Sequence, residues 1–220
     1  MEENVMLLNT TRAGWTRPVT TSTLSVLAMI VVGACSGGEP APAATEPSER
    51  EIPAAETRTG DTLELRIREG PRRQTTGSVP HIQLDAEPVP AVDAELRRRA
   101  FQLPGVENLP SDRSLPGARG LAFTDGLDLA RPEVIAGSSE FAHIHPDGSL
   151  HVWLAVDSAI EVDDKNWGEL HPWVGRDGFW DGVVMVYTPE TLDELDVTIQ
   201  IIVDAYNFIT GASLHPADIP

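Results

Sequence analysis

Three features of the sequence predict an α+β domain: a mostly antiparallel sheet, helices packed on one face, and a closing C-terminal helix. In the closing segment Leu192, Leu195, Ile199, Ile202, Tyr206 and Ile209 recur every three or four residues until Gly211. Between residues 118 and 187 there are several short runs of strand-forming residues, separated by turn residues. Within them Pro146-Asp147-Gly148 supplies the residue types of a type I turn closed by a left-handed glycine, the common build of a three-residue hairpin loop.

The elements follow in order. Leu63, Leu65 and Ile67 alternate with polar residues as a short strand does, and Gly70 to Pro90 reads as an irregular arm. Ala91 to Leu103 carries helix formers with Val92, Leu96, Ala100 and Leu103 at helical spacing, stopped by Pro104-Gly105. Strands are predicted at Ala118 to Thr124, Val134 to Ala136, Phe141 to His145 and Leu150 to Val156. Asp157 or Ser158 is positioned to cap a short helix reaching Lys165, and two more strands are predicted at Glu169 to Val174 and Val183 to Tyr187. For the closing helix Thr188 is the expected N-cap, Pro189 the first helical residue and Gly211 the stop.

The hairpin around Pro146-Asp147-Gly148 holds three of the six histidines. A three-residue loop pairs His145 with Ser149 and His143 with His151, and period-two alternation puts residues 141, 143, 145, 149, 151 and 153 on one face. Ala142, Ile144, Leu150, Val152 and Leu154 form the other, apolar face. A four-residue loop would instead send His151 to the apolar side, so the cluster depends on this register.

The first 34 residues read as a signal peptide. Arg12 and Arg17 precede an apolar run from Leu24 to Val32, shorter than the ~20 residues of a membrane-spanning helix. Val32-Gly33-Ala34-Cys35 resembles a lipobox, with Cys35, the only cysteine, as the lipid acceptor; Met6 is an alternative start. The expectation is an exported protein of the bacterial cell envelope, anchored to a membrane by an N-terminal lipid, at the outer membrane or periplasm of a Gram-negative cell. Residues 35–60 are rich in Ala, Pro, Glu, Thr and Ser without apolar period and read as a disordered tether. The irregular arm then spans 61–90 and the domain 91–220. With Cys35 lipidated, no thiol remains for a disulfide.

The net charge is -18, and removing residues 1–34, with two arginines and two glutamates, leaves it unchanged. Such a surface repels phosphate backbones, which argues against nucleic acid as a partner. No phosphate-binding glycine loop, dinucleotide fingerprint or nucleophile elbow is present, which disfavours phosphoryl transfer, nicotinamide chemistry and serine-hydrolase catalysis.

Gly70-Pro71-Arg72, Pro80-His81-Ile82-Gln83-Leu84, Leu103-Pro104-Gly105-Val106, Glu140-Phe141-Ala142-His143-Ile144-His145-Pro146, Asp147-Gly148-Ser149-Leu150-His151, Trp167-Gly168-Glu169-Leu170-His171-Pro172, Val184-Met185-Val186-Tyr187 and the final helix occur in that order over residues 63 to 211. As a set they resemble the luciferase-like domain family, named for the luciferase of bioluminescent fungi and widespread in bacteria. A fainter likeness, at the level of fold, is to the MmcQ/YjbR type of small α+β domain. For the fungal enzyme the resemblance implies oxidation of a hydroxylated styryl-pyrone by dioxygen, with loss of carbon dioxide and emission of light, and no added metal or organic cofactor. The chain departs from that pattern in its lipobox and in Trp167-Gly168, where the order Gly-Trp is expected.

Three readings of the histidines stay open. As a metal site, His143, His145 and His151 make a facial set for Zn²⁺ or another divalent metal, with His171 or Glu140 as a fourth ligand. As an acid/base site, His143 or His145 removes an enolic proton from a small-molecule ligand, and His151 and His171 hold the resulting anion. As structural residues, they are polar residues on a solvent-facing side of the hairpin, or hydrogen-bonded spacers. Trp153, Trp167, Trp173 and Trp180 are candidate walls for a planar substrate, Trp153 and Trp167 foremost, with core packing as the alternative. Glu140 is a candidate orienter of an imidazole, although strict alternation places it opposite His143. Arg72 and His81 lie in the arm, which either folds over the site as a lid or is a surface arm with no role. The leading expectation is an oxygen-dependent oxidoreductase acting on a small aromatic or enolic molecule. A non-catalytic binding module for a metal or small molecule, or a structural envelope protein, are the alternatives, and the oligomeric state is not readable.

Overall fold

The computed structural model describes residues 63–85 and 87–219. The predicted signal peptide, Cys35 and the tether lie outside the described residues. The fold is α+β: a six-stranded, fully antiparallel sheet in the order β1-β2-β3-β4-β6-β5, with three helices. The strands are β1 (Val106–Pro110), β2 (Arg119–Phe123), β3 (Glu140–Ile144), β4 (Leu150–Trp153), β5 (Gly168–Leu170) and β6 (Val183–Val186). The helices are α1 (Pro90–Ala100), α2 (Val156–Asp164) and α3 (Leu192–Thr210). Helix α3 packs on β3, β4 and α1, while α2 packs against β5 and β6. Among the described residues no helix is long and apolar enough to cross a membrane.

The apolar core lies between α3 and the sheet. Ile199, Ile202, Tyr206 and Ile209 of α3 meet Leu121, Phe123, Phe141, Ala142, Ile144, Leu150, Val152, Val184 and Val186, all buried. The helical periodicity read from the sequence therefore marks this buried stripe, although Leu192 at its start is exposed. Gly211, at φ 75°, ends the helix in the left-handed conformation that glycine adopts without strain.

Several expectations about the elements are corrected. Leu63, Leu65 and Ile67 form no strand; Leu63 and Leu65 are buried as an extended segment on the core, and Ile67 is exposed. Val134 to Ala136 is not a strand but the end of a 3₁₀ turn, Pro132–Ile135, opened by a proline whose fixed φ suits the first turn of a helix. The residue before α2 is Ala155, with no side-chain cap, so neither Asp157 nor Ser158 fills that role. Helix α3 is capped by Thr191, whose hydroxyl accepts from Glu194 N at 3.1 Å. Thr188 is used elsewhere: its hydroxyl donates to Asp147 O at 2.8 Å and so ties the hairpin turn to the end of β6. Strand β1 is an edge strand whose residues are mostly exposed, Leu109 included, and it ends in proline, which explains why no alternation revealed it.

The hairpin register is as predicted. His143 lies opposite His151, and His145 N donates to Ser149 O at 2.8 Å around Gly148, whose φ is 82°. One assignment to the faces fails. The β2–β3 ladder runs Gly120 to His143 and Leu121 to Ala142, then Ala122 to Glu140, so Phe141 is an extra residue in a β-bulge. The bulge swaps the faces at this end of the strand. Phe141 leaves the histidines and stacks on Phe123 at 4.5 Å, with Tyr206 of α3 at 6.3 Å, and Glu140 moves to the histidine side.

Candidate functional site

The face of the sheet opposite α3 carries one row of residues across five strands: Gly120, His143, His151, Met185 and Glu169, each paired with the next. His171, two residues beyond Glu169, shares its face, and His145, two beyond His143, completes the hairpin's contribution. The arm supplies one more imidazole. Thr75 and Gln83 form an isolated antiparallel bridge, and the loop between them, with a cis Val79-Pro80 bond, carries His81 onto the row. His81, His143, His145 and His151 are all at most 5% exposed, while His171 is half-buried. The solvent-facing structural reading therefore does not describe these rings.

Hydrogen bonds link the buried rings into a chain. Glu140 Oε1 is 2.7 Å from His143 Nδ1, His143 Nε2 is 2.9 Å from His151 Nδ1, His151 Nε2 is 3.1 Å from His81 Nδ1, and His81 Nε2 is 2.5 Å from Glu169 Oε1. Each end carboxylate is met by further donors: Ser111 Oγ at 2.8 Å and Asp112 N at 3.3 Å for Glu140, and Thr75 Oγ1 at 2.6 Å for Glu169. Gly120 makes the first link possible, since a Cβ there would stand 2.3 Å from Glu140 Oε2. The glutamate side chain lies over the bare glycine on its way to His143.

His145 is held separately. Ser149 Oγ donates to Asp147 Oδ1 at 2.7 Å, so it accepts from His145 Nδ1–H at 2.9 Å. That fixes the tautomer and leaves the lone pair of His145 on Nε2, which has no hydrogen-bond partner among the described residues. Asp147 also receives Ser149 N, and Arg97 of α1 donates to His145 O, so the turn and the ring are braced together. His171 has the opposite tautomer. Its Nδ1 accepts from Trp173 N at 3.1 Å, which places its proton on Nε2, again without a partner. Among the described residues Arg73 Nε is the sealed side-chain polar atom that lacks a partner, so these two nitrogens are in reach of solvent.

Burial holds three of these imidazoles neutral. The pKa of His145 is lowered to about 3, first by desolvation and then by the neighbouring His143 and His81. His151 is lowered well below its ordinary value for the same leading reason, with His143, His145, His171 and His81 around it. His171 is lowered to about 4, mainly by desolvation. For Glu169 desolvation acts upward, but hydrogen bonds from His81 and Thr75 and the nearby Arg72 guanidinium outweigh it, and the carboxyl is lowered. One ring nitrogen each from His143, His145 and His151 lies within 4.8 Å of the other two, and the same holds for His81, His151 and His171, so both trios could hold a metal ion.

Of the other residues singled out in the sequence, Trp153 joins the site: its ring is 5.8 Å from His143, edge on, and Arg113 covers it at 5.3 Å. Trp167 does not. It is buried under the arm, donating to Arg66 O at 2.6 Å, with the Arg66 guanidinium over its ring. Arg72 reaches Tyr187, Asp163 and Gly168 O, and so fastens the arm to α2 and β5 and makes no contact with the rings of the cluster. Glu140 is buried as the partner of His143, with no surface to offer a substrate. Glu169, Ser149 with Asp147, and Phe179 are not singled out as site residues by the sequence, whereas Trp173 is among its candidate walls. Phe179 stacks on His171 at 4.8 Å and Trp173 meets it edge on at 5.6 Å, forming an aromatic rim. Two signals were available: Glu169 alternates with His171 in Gly168-Glu169-Leu170-His171, and Gly120 inside a strand marks a close approach. A groove of about 1110 Å³ runs along α3, lined by residues including Leu63, Arg66, Asp193 and His215. Arg66 and Arg99 there already bond to Asp193 O and Asp196, so the histidine face is the stronger candidate site.

Residues 138–205 match the family model described as Luciferase domain. The matched segment runs from the residues before β3 through most of α3. It contains Glu140, His143, His145, His151, Glu169 and His171 but not the arm residue His81. The match supports a luciferase-like domain family. No curated protein and no solved structure matches the chain.

Proposed function

We propose that this luciferase-like domain serves an exported, lipid-anchored protein of the cell envelope. It takes a small enolic or aromatic molecule on its histidine face and oxidises it with dioxygen. The envelope location is supported by Val32-Gly33-Ala34-Cys35 and the tether composition behind it. One observation carries the chemistry: the Asp147–Ser149 pair holds an unpartnered imidazole lone pair at His145 Nε2, on the same face as the unpartnered N–H of His171.

An enol hydroxyl that donates to His145 Nε2 and accepts from His171 Nε2 meets a base and an anion-stabilising donor together. The low proton affinity of His145 restricts the substrate to acidic enols, whose oxygen holds its proton weakly. The enolate carbon then forms one bond to dioxygen. Carbon is oxidised, oxygen is reduced to the peroxide level, and the proton returns to the peroxide oxygen. Trp153, Trp173 and Phe179 are the flat surfaces for the ring of such a molecule. His81 covers part of the row, so its arm governs access.

The test is oxygen consumption by the full chain with 4-hydroxy-2-pyrones as probes, followed together with tryptophan fluorescence. Oxygen uptake that depends on the probe and is lost in His145→Gln, with an unchanged circular dichroism spectrum, is the expected result. Probe binding without oxygen uptake identifies a binding module instead of an enzyme, and neither response removes the proposal.

A further inference from the structure

With every ring neutral, the hydrogen-bond chain leaves two lone pairs facing each other. Three carboxylates, Glu140, Asp147 and Glu169, stand at the outer ends of the imidazole network, and each draws a ring proton outward. Glu140 takes Nδ1–H of His143, which leaves the lone pair of a neutral His143 on Nε2. Asp147, through Ser149, takes Nδ1–H of His145, whose lone pair is again on Nε2. Glu169 takes Nε2–H of His81, so His81 Nδ1 is an acceptor and His151 must donate to it from Nε2. That leaves the lone pair of His151 on Nδ1.

His151 Nδ1 and His143 Nε2 then face each other at 2.9 Å as two lone pairs, which repel unless a cation lies between or beside them. His145 Nε2 is the third lone pair of the same trio, and the three rings offer nitrogens within 4.8 Å of one another. One extra proton would satisfy His143 and His151 but leave the lone pair of His145 Nε2 with no protein partner. A metal ion satisfies all three. We infer that His143 Nε2, His145 Nε2 and His151 Nδ1 form a facial site for one divalent transition-metal ion.

The surroundings are those a ligating imidazole needs. Each ring has its other nitrogen engaged, by Glu140, by Ser149 backed by Asp147, and by His81 backed by Glu169, the arrangement that fixes tautomer and ring orientation at metal centres. Two ligands at about 2.1 Å from an ion stand about 3.0 Å apart when cis in an octahedron, close to the 2.9 Å between His143 and His151. Three neutral imidazoles select a first-row ion such as Fe²⁺, Co²⁺, Ni²⁺, Cu²⁺ or Zn²⁺ over Mg²⁺ or Ca²⁺, which require oxygen ligands. The second trio is less suited, because His171 Nδ1 is occupied by Trp173 N and its Nε2 carries the proton.

A facial set leaves coordination positions open. In a consequence that rests on the oxidoreductase reading above, those positions accept the enol oxygen, and the ion replaces His145 as the group that acidifies it. Metal uptake itself does not depend on that reading.

The test uses the full chain, stripped with a chelator and titrated with Co²⁺, whose visible absorption reports ligand number, and then with Zn²⁺ followed by dialysis and metal analysis. One equivalent is expected, lost in His143→Ala and in His145→Gln. In Ser149→Ala, which keeps all three ligands but frees one ring, affinity falls about 10- to 100-fold. Circular dichroism accompanies each variant, and Ser149→Ala serves as the deciding comparison where a ligand variant fails to fold. No uptake by the folded chain overturns the inference, as does one equivalent retained in His145→Gln or abolished in His171→Ala alone. Metal uptake without oxygen consumption leaves this site standing and removes the oxidoreductase reading; oxygen consumption by a chain that takes up no metal does the reverse.

Discussion

Acidification from pH 7 to pH 5 in the presence of chelator is expected to destabilise the fold by about 3 kcal/mol, through the buried histidines. His145 has a pKa of about 3 in the folded chain, against an ordinary value of ~6.5 when unfolded. Because the folded value is the lower, the unfolded chain takes up the proton first. Stability is fully present above pH 6.5 and drains away as the pH falls towards 3. From pH 7 to pH 5 this one ring loses about 2 kcal/mol. His171, at about 4 and half exposed, adds roughly 1 kcal/mol after allowance for solvent screening. His151 is lowered in the same direction. A loss of this size is a substantial fraction of the ~5–15 kcal/mol that holds a domain together. Urea denaturation at the two pH values measures it, with His145→Gln as the comparison. In that variant the difference between pH 7 and pH 5 should shrink by about 2 kcal/mol. An unfolding free energy that does not change with pH, or an unchanged pH dependence in His145→Gln, would show that these rings are not held neutral by burial.

Gly120→Ala places a methyl where Glu140 lies and is expected to cost about 1–3 kcal/mol in urea denaturation and to weaken Co²⁺ binding by freeing His143. Wild-type affinity and stability would mean that Glu140 is not needed over the glycine. Phe141→Ala removes a fully buried ring from between Phe123 and Tyr206, and a loss of about 3–5 kcal/mol is expected. A loss below 1 kcal/mol would contradict the bulge, which turns this ring into the core. Thr191→Ala removes the N-cap of α3 at about 1 kcal/mol. In contrast, Thr188→Ala is expected to loosen the hairpin turn without changing the helicity measured by circular dichroism.

The hairpin was legible because its signals are local. Pro146-Asp147-Gly148 specifies a three-residue loop, and once the loop length is set, the pairing of His143 with His151 follows from counting. Glu140 was misplaced by the same counting. A bulge adds one residue to a strand without any mark in the alternation, and its clue was the partner strand's Gly120. Trp167 illustrates a different limit. An indole suits a pocket wall and a core equally well, and only its neighbours Arg66 and the arm show which it is. The caps of α2 and α3 were misjudged because Thr188 and Ser158 have the right chemistry, while the chain around Thr188 is bent to meet the hairpin turn at Asp147.

By itself the sequence determined the α+β class, the apolar stripe of α3, the register of the hairpin and the gathering of histidines on one face. Each of these follows from periodicity or turn chemistry within some twenty residues. Only the tertiary structure decided that Glu140 and Glu169 cap the two ends of an imidazole chain and that His81 crosses from the arm to join it. It also decided that Asp147 and Ser149 hold one further lone pair free at His145. Those links connect residues up to 88 positions apart. They depend on where hydrogens can be placed between fixed nitrogens and oxygens, a property of the assembled face that no local pattern contains.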